Sequence, residues 1–311
     1  MAKHFGDRLC DAVIAKKSPL IVGMDPVYSR LPEEVRKRYG SNNDIEAVID
    51  ATIEFCTRTL KIVAPYVPAV KFNIAYFERY FWEGVEAYYS LVAEADSLGL
   101  EVIGDVKRGD IGHTCTAYAD AHLKDPKYKS LNIIAPDAIT VNGFAGADGI
   151  LPFADAASES NNGIFVWIRA SNPSAARLQD AVTKEGMPFY QILAEITNEI
   201  ASQPRRIGEN GYSNVGMVVG GTTAENTAVM RARYPNVWFL VPGFGSQGGS
   251  AEDCVKFCKP DGTGALINSS RGIIYAYEDD KYKAQFGDNW EKCIEQATID
   301  SCAMLKNAMQ K

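Results

Sequence analysis

The sequence predicts a closed (β/α)8 barrel, class α/β, formed by a single domain that spans residues 1–311. Eight short apolar runs recur along the chain, and most of them alternate with segments of helical periodicity. Most runs are too uniformly apolar for half-exposed antiparallel strands and suit parallel strands that are covered on both faces. Eight strand–helix repeats imply a closed TIM barrel. An open doubly wound sheet is the alternative, but no G-x-G-x-x-G turn follows the first run.

The predicted elements follow one another in a regular order. The predicted strands are residues 19–25, 69–73, 100–107, 137–142, 163–171, 214–221, 237–245 and 264–272. The predicted helices are an N-terminal helix at about 3–17, further helices at 44–64, 75–98, 114–123, 187–202, 222–233 and 250–258, and a long C-terminal helix at about 288–309. Residues 142–162 give the weakest pattern, and we expect a short helix and loops there.

Composition and charge argue against several classes of protein. The formal net charge of −7 is unfavourable for broad binding to nucleic acids or anionic membranes, although a local basic pocket for one phosphate remains compatible with it. No stretch approaches the roughly 20 apolar residues of a membrane span. The N-terminal segment also lacks the apolar core of a signal peptide. We therefore expect a cytoplasmic protein that binds a small molecule.

Cysteine and histidine usage predicts neither a disulfide framework nor a metal site. The seven cysteines are odd in number and widely scattered. Cys254 and Cys258 are one helical turn apart, but no second pair has the spacing of zinc ligands. Only three histidines are present, and no motif for flavin, thiamine or pyridoxal phosphate is found. We expect no metal and no cofactor.

Polar residues cluster where the predicted strands end. In a barrel of this kind, catalytic groups lie at the carboxyl ends of the strands. The residues at or near these ends are Asp25, Lys71, Asp105, Lys107, Ser171, Gln247 and Arg271. Fold stability does not require this pattern, so it favours a catalytic or binding site at that end of the barrel.

The stretch GDVKRGDIGHT, residues 104–114, holds the densest group of charges. Asp105 and Lys107 are two positions apart on a strand, so their side chains can share a face. Asp110 follows after Gly109, where the chain can turn, and Lys71 comes from the neighbouring strand. These residues predict a row of alternating charge in which lysine stays protonated, ready to donate a proton. A structural network of salt bridges is the alternative.

Two glycine-rich segments predict a phosphate site. VPGFGSQGG, residues 241–249, precedes a predicted helix that starts near Ser250, and exposed backbone N–H groups at a helix start bind anions. NSSRG, residues 268–272, adds Arg271, whose guanidinium can hold a phosphate with two hydrogen bonds. Loops after strands 7 and 8 are the usual phosphate location in such barrels. Glycines that only permit tight turns are the alternative interpretation.

Taken together, these segments resemble the orotidine 5'-phosphate decarboxylase family, in its longer bacterial form. The central motif is Asp-x-Lys-x-x-Asp-Ile-x-x-Thr, present as Asp105, Lys107, Asp110, Ile111 and Thr114. Supporting segments in the same order are GMDP (23–26), KFNIAYFE (71–78), WIRASNPSA (167–175), VPGFGSQGG (241–249) and NSSRGIIYA (268–276). The resemblance thus covers most of the chain.

The resemblance implies a cofactor-free decarboxylation of orotidine 5'-phosphate to UMP, in pyrimidine biosynthesis. It implies that Lys107 protonates C6 of the pyrimidine as carbon dioxide leaves. Asp105 would lie beside the substrate carboxylate, with Lys71 and Lys107 on either side of it. Asp110 would complete the catalytic group from a second subunit.

The resemblance also implies roles in substrate binding. Asp25 and Lys71 would contact the ribose hydroxyls, while Ser171 and Gln247 would bind the base. The phosphate would be held by Arg271, by Gln247 and by the nearby backbone, a group that includes Gly248, Gly249 and Ser270. Asp110 and Thr114, with Ile111 between them, would reach the ribose in the neighbouring subunit's site, so a homodimer would be the smallest complete enzyme.

Two departures from the family pattern are mild, since Met24 stands where leucine is expected and Asn73 where glutamine is common. The nearest alternative is a related magnesium-dependent barrel that acts on sugar phosphates, in which paired carboxylates bind the metal. Lys107 between Asp105 and Asp110 argues against that alternative, because an ammonium competes for the same oxygens. A non-catalytic nucleotide-binding barrel should have lost one of the charges, and none is missing.

Overall fold

Parallel strands form a closed barrel in the computed structural model, which describes residues 3–40, 43–124, 133–220, 224–245 and 248–311. Each strand pairs with its neighbours in sequence, and the last pairs with the first. The strands are β1 (Leu20–Met24), β2 (Ala69–Asn73), β3 (Glu101–Arg108), β4 (Ala138–Val141), β5 (Gly163–Arg169), β6 (Val215–Val219), β7 (Phe239–Pro242) and β8 (Ala265–Ser269). The predicted TIM-barrel fold is confirmed.

Helices connect the strands and cover the outside of the barrel. They are α1 (Phe5–Lys16), α2 (Glu33–Tyr39), α3 (Ile45–Val63), α4 (Ala75–Glu78), α5 (Phe81–Ser97), α6 (Gly112–Leu123), α7 (Ala147–Ser160), α8 (Ala176–Gln179), α9 (Phe189–Ala201), α10 (Ala224–Arg233), α11 (Ala251–Val255), α12 (Arg271–Ile274), α13 (Asp280–Phe286) and α14 (Trp290–Met309). Among the described residues, none of these helices has both the length and the apolar character that crossing a membrane requires.

The interior of the barrel is built in layers, because side chains along a strand alternate between its two faces. The layer nearest the amino ends of the strands is apolar and includes Ile21, Ile103, Phe165 and Leu266. Helix α1 closes this end by packing Phe5 and other apolar residues onto the same cluster. The site therefore has a buried, apolar base beneath it.

Two positions further along β2, β3, β4 and β8, the interior becomes polar, while the side formed by β5 to β7 stays apolar. This second layer contains Lys71 on β2, Asp105 on β3, Thr140 on β4 and Asn268 on β8, each at most 9% exposed. A barrel interior is usually filled with branched apolar side chains. Buried polar groups in that place cost stability unless they are paired, so this layer is where a functional site is expected.

The predicted helix at 75–98 is interrupted and forms two helices instead. Helix α4 ends at Glu78, and α5 begins at Phe81, whose φ of 56° lies in the left-handed region. Gly84 allows the tight turn, since a Cβ there would lie 2.0 Å from the carbonyl oxygen of Phe77. The aromatic residues of this segment concealed the break because they continue the apolar pattern on both sides.

The helix within residues 142–162 is longer than expected, and loop residues are confined to 142–146 and 161–162. Helix α7 has 14 residues and contains Pro152 within it. Its buried face is formed by Gly149, Ile150, Phe153, Ala154, Ala156 and Ala157. Glycine and proline usually mark the ends of helices, but here the packing of this apolar face stabilises the helix despite them.

Candidate active site

A cavity of about 220 Å³ opens at the carboxyl ends of the strands. It is lined by Lys71, Asp105, Lys107, Thr140, Trp167, Ala170, Ser171, Asn172, Val218, Leu240, Pro242 and Asn268. The catalytic residues that the sequence predicts on β2 and β3 thus meet in one cavity with Ser171, which follows β5. Its charged residues lie on one side, and the apolar surface lies mainly on the side formed by β5 to β7.

Asp105 is at the centre of the charged side. One of its carboxylate oxygens accepts a hydrogen bond of 2.9 Å from Lys71 Nζ. The other accepts from Lys107 Nζ at 2.5 Å and from the Thr140 hydroxyl at 2.9 Å. Burial opposes ionisation of Asp105, but the two ammonium groups outweigh it and hold the pKa of this carboxyl well below its usual range. Asp105 is therefore an anion at neutral pH.

Lys71 carries the matching buried positive charge. Its side chain is 7% exposed, and its Nζ lies 2.9 Å from Asp105 and 4.0 Å from the Asp25 carboxylate. Burial lowers the pKa of Lys71, but the attraction of Asp105 and Asp25 more than offsets it, so the pKa is raised above its ordinary value. Lys71 is therefore a fixed cation between two carboxylates.

Lys107 reaches the cavity from an irregular part of β3. Its backbone has a φ of 44°, which is the left-handed region and is uncommon for a residue with a side chain. Its side chain is 38% exposed, and Nζ lies 5.7 Å from the centre of the Trp167 ring. The ammonium thus stands between the buried charges and the open mouth, where a ligand can reach it.

Asp25 lies beyond Lys71 at the end of β1. Its Oδ1 is buried and accepts no hydrogen bond from the described residues. The segment around it is held by the Tyr275 hydroxyl, which donates to the Asp25 carbonyl at 2.9 Å and accepts from the Val27 N–H at 2.7 Å. The backbone of Asp25 is thus held in place, and Oδ1 is an acceptor that no hydrogen-bond donor among the described residues uses.

Asp110 is not part of the charged row in its own chain. In the described part of the chain it makes no ion pair, and its carboxylate accepts a hydrogen bond of 2.7 Å from the Ile111 N–H. Asp110, Ile111 and Thr114 are all exposed, with Ile111 65% exposed. The predicted row with Asp110 as its fourth member does not form within one chain. Among the described residues, the alternating charges are Asp25, Lys71, Asp105 and Lys107.

The glycine-rich segment after β7, which is predicted to bind the phosphate, contains tight turns of the backbone. Gly243, Gly245 and Gly248 have φ values of 103°, 77° and 88°, which favour glycine. A Cβ on Gly249 would lie 2.8 Å from the Gly243 carbonyl oxygen. Gln247, which is predicted to contact base and phosphate, lies outside the described residues.

The other part of the predicted phosphate site is the segment that follows β8. Ser270 precedes the short helix α12, whose first residue is Arg271. Arg271 is exposed and has no ion pair among the described residues, so its guanidinium is free for an anion. Gly23 on β1 leaves room for Ser270, because a Cβ there would lie 1.9 Å from Ser270 Oγ.

Sequence reasoning missed three polar residues of the cavity, Asn172 in the segment after β5 and, within the barrel, Thr140 on β4 and Asn268 on β8. Thr140 bonds to Asp105 directly. Asn268 is 7% exposed, donates to Ser270 Oγ at 3.2 Å, and has an Oδ1 without a partner among the described residues. Both belong to the layer of Lys71 and Asp105, and counting the alternation along β4 and β8 would have found them.

Comparison with known proteins agrees with this arrangement. Residues 18–285 match the profile of the Orotidine 5'-phosphate decarboxylase / HUMPS family. The orotidine 5'-phosphate decarboxylase of Rhodopirellula baltica is 36% identical over 303 residues, which cover 97% of this chain and 99% of that protein. The protein of the same name from Caldicellulosiruptor bescii is 37% identical over 280 residues, covering 89% and 91% of the two chains.

A solved structure supports the same relationship. The OMP decarboxylase of Leishmania donovani superposes with a TM-score of 0.71 at 29% identity, covering 99% of this chain and 100% of that one. The resemblance predicted from the Asp-x-Lys-x-x-Asp motif is confirmed. The chain belongs to the orotidine 5'-phosphate decarboxylase / HUMPS family.

Proposed function

We propose that this chain, as a single barrel domain, converts orotidine 5'-phosphate to UMP and carbon dioxide without a cofactor. The observation that carries the proposal is the buried Asp105 carboxylate between the ammonium groups of Lys71 and Lys107, in the cavity at the mouth of the barrel. The names of the relatives from R. baltica and C. bescii support the same reaction.

In the proposed reaction, Lys107 supplies the proton. The bond between C6 and the carboxylate breaks, carbon dioxide leaves, and the electron pair stays on C6. A proton moves from Lys107 Nζ to C6 to give UMP, and Lys107 then takes a proton from water. A fixed ammonium next to C6 stabilises the negative charge as it develops, which is usually the largest contribution of a site of this kind.

Asp105 has a secondary part in this proposal. Its carboxylate stays ionised because of its two lysine partners, so a substrate carboxylate bound beside it would be repelled. That repulsion would be relieved as carbon dioxide leaves. Asp105 also holds the Lys107 ammonium through its Oδ1. We assign more weight to the stabilisation by Lys107 than to the repulsion, since the size of such ground-state effects is contested.

The remaining groups would bind the parts of the substrate that do not react. Asp25 and Lys71 would contact the ribose hydroxyls, while Ser171 and Gln247 would contact the base. The phosphate would be held by Arg271, Ser270, Gln247 and the backbone at Gly248 and Gly249. Binding energy from these remote contacts would be used to hold the pyrimidine in place at the transition state.

We include a homodimer with shared sites in the proposal. Asp110, Ile111 and Thr114 are exposed, and Asp110 has no lysine partner within its own described chain. The segments that follow β2, β3 and β4 also expose the large apolar side chains of Phe81, Trp82, Ile111 and Phe144. Exposed apolar groups concentrated at one end of a protein are typical of an interaction surface.

Mixed dimers test the shared site. Asp110→Ala and Lys107→Ala chains should each be inactive alone, and mixing them should restore activity in hybrids that contain one intact site. A mixture that stays as inactive as its components would remove the shared site from the proposal.

The magnesium-dependent alternative fits these contacts poorly. Both oxygens of Asp105 already accept hydrogen bonds, from Lys71 on one side and from Lys107 and Thr140 on the other. A divalent cation bound to either oxygen would lie close to both ammonium groups, and both would repel it. These contacts of Asp105 therefore favour a site that acts through the fixed positive charges of Lys71 and Lys107.

The experiment that tests the proposed function follows orotidine 5'-phosphate by its absorbance, with EDTA in one series and magnesium in another. We expect equal conversion to UMP in both series, and conversion by Lys107→Ala that is slower by at least about 100-fold. Activity that EDTA abolishes and magnesium restores would favour the metal-dependent alternative. No turnover in either series would refute the proposed function.

A further inference from the structure

We propose that Thr140 is a positioning residue that sets the place of the Lys107 ammonium, and the proposal rests on the decarboxylase function proposed above. Thr140 lies on β4, opposite the irregular part of β3, and is 1% exposed. Sequence reasoning assigned it no role. Its hydroxyl contacts both the backbone of Lys107 and the side chain of Asp105.

The pairing of β3 with β4 explains why Lys107 needs such a partner. Gly104 is paired with Ile139, and the next paired residues are Arg108 and Val141. Asp105, Val106 and Lys107 therefore face Thr140 alone, which is a β-bulge. A bulge leaves backbone groups without their usual partners, and a buried N–H that is not paired is costly.

The Thr140 side chain takes the place of the missing partner. The Lys107 N–H donates to Thr140 Oγ1 at 2.9 Å. This contact holds Lys107 in its left-handed conformation, with a φ of 44°. This conformation is uncommon for lysine, and backbone strain of this kind is concentrated at functional sites.

The same hydroxyl also sets the position of Asp105. A threonine hydroxyl has a single proton, and because Oγ1 accepts from the Lys107 N–H, that proton is free to point at Asp105. The Thr140 hydroxyl donates to Asp105 Oδ1 at 2.9 Å, and this is the oxygen that also accepts from Lys107 Nζ. Thr140 thus fixes Lys107 at both ends, directly at the backbone and through Asp105 at the ammonium.

The branched side chain of threonine suits this task. Two heavy substituents on Cβ restrict χ1, so the hydroxyl is held in one direction without further contacts. Thr140 lines the cavity, but its hydroxyl is used within the protein, and we infer that it acts on the reaction through Lys107.

Two variants test the proposal. Thr140→Val keeps the shape and removes the hydroxyl, and Thr140→Ser keeps the hydroxyl. We expect Thr140→Val to lower kcat by about 100-fold, which is the effect of displacing a reacting group by about 1 Å. KM for orotidine 5'-phosphate and the Kd of UMP should change little, because the ribose and phosphate contacts remain. Thr140→Ser should recover most of kcat.

Three results would overturn the proposal while leaving the proposed function intact. One is a Thr140→Val enzyme with unchanged kcat. Another is a rise in KM without a fall in kcat, which would make Thr140 a binding residue. The third is a Thr140→Ser enzyme as slow as Thr140→Val, which would make packing of the methyl group the important contact.

A crystal structure of each variant separates this proposal from the proposed function. In Thr140→Val we expect Lys107 to leave the left-handed region and its ammonium to move from Asp105, while Thr140→Ser retains both features. If the unaltered protein does not turn over orotidine 5'-phosphate, the proposed function fails and these structures still decide the positioning role. A Thr140→Val structure with Lys107 unmoved would refute that role.

Discussion

Replacing Asp105 by asparagine removes the carboxylate that Lys71 and Lys107 share. Asparagine has nearly the same shape, so the change mainly removes charge. Lys71 would then be a buried cation whose nearest carboxylate is Asp25, at 4.0 Å. Lys107 would also lose its partner, but its side chain is 38% exposed and water can solvate it.

The expected loss of stability comes mainly from Lys71. Breaking a buried ion pair by removing one partner costs about 3–5 kcal/mol. The exposed Lys107 adds little, since solvent screens such pairs. Asp25 remains near Lys71 and offsets part of the cost, so we expect the free energy of unfolding to fall by about 3 kcal/mol at neutral pH.

The loss of stability in Asp105→Asn should depend on pH, and it should be largest near neutral pH and smaller in acid. The pKa of Asp105 is lower in the folded state than in the unfolded chain, so its stabilisation is complete above the unfolded value of about 4. The stabilisation is lost as the pH falls from there through the folded pKa. The difference in the free energy of unfolding between the original protein and Asp105→Asn should therefore become smaller as the pH falls below about 4.

Urea unfolding at neutral and acid pH measures this effect, once refolding is shown to be reversible. Asp180→Asn is a matched control, because Asp180 pairs with Arg169 at 2.8 Å but is 39% exposed, and its loss should cost less than about 1 kcal/mol. Adding Lys71→Met to Asp105→Asn should restore part of the stability by removing the uncompensated charge. An Asp105→Asn protein as stable as the original at neutral pH would mean that the buried Lys71 charge does not depend on Asp105 for its stability.

Two further predictions concern the phosphate end. Arg271→Ala should weaken UMP binding by about 1.5–3 kcal/mol, which is the contribution of a hydrogen bond to a charged group, and should leave uridine binding unchanged. Calorimetric titration with UMP and with uridine measures both affinities. An equal loss of affinity for the two ligands would contradict a contact between Arg271 and the phosphate. Gly249→Ala should raise KM for orotidine 5'-phosphate, because the new Cβ would lie 2.8 Å from a backbone oxygen and would distort the turn. Gly272→Ala is the control and should leave KM unchanged, because the nearest neighbour of its Cβ would be 3.6 Å away. Similar KM values for the two glycine variants would exclude a role for the turn at Gly249.

Much of the barrel and part of the site could be predicted from local sequence. The strands were visible because buried parallel strands are uniformly apolar, and their ends were marked by Asp25, Asp105 and Lys107. Since the carboxyl ends of parallel strands meet at one end of a barrel, these residues could be brought together without a structure. Lys71 was found because it interrupts the apolar run of β2.

Other features depend on contacts between distant segments, which local sequence does not contain. Thr140 gained its partners only through the bulge that sets β3 against β4. The break before Phe81 and the long helix α7 follow from packing that overrides local preference. Asp110 was expected in the row, but the row of one chain lacks it. We propose that Asp110 serves a second subunit, and the contacts within one chain do not reveal such a role.

In the proposed mechanism, the Lys107 ammonium supplies the proton and stabilises the charge that develops at C6. The most direct measurement is kcat for orotidine 5'-phosphate in EDTA, compared between Lys107→Ala and Arg108→Ala. Both variants lose one positive charge at neighbouring positions, but Arg108 pairs with Glu78 instead of Asp105. We predict that kcat of Lys107→Ala falls by at least about 100-fold, which is the usual contribution of a proton donor. We expect kcat of Arg108→Ala to stay near the original value and both variants to bind UMP. A Lys107→Ala enzyme that retains most of its kcat would contradict the account.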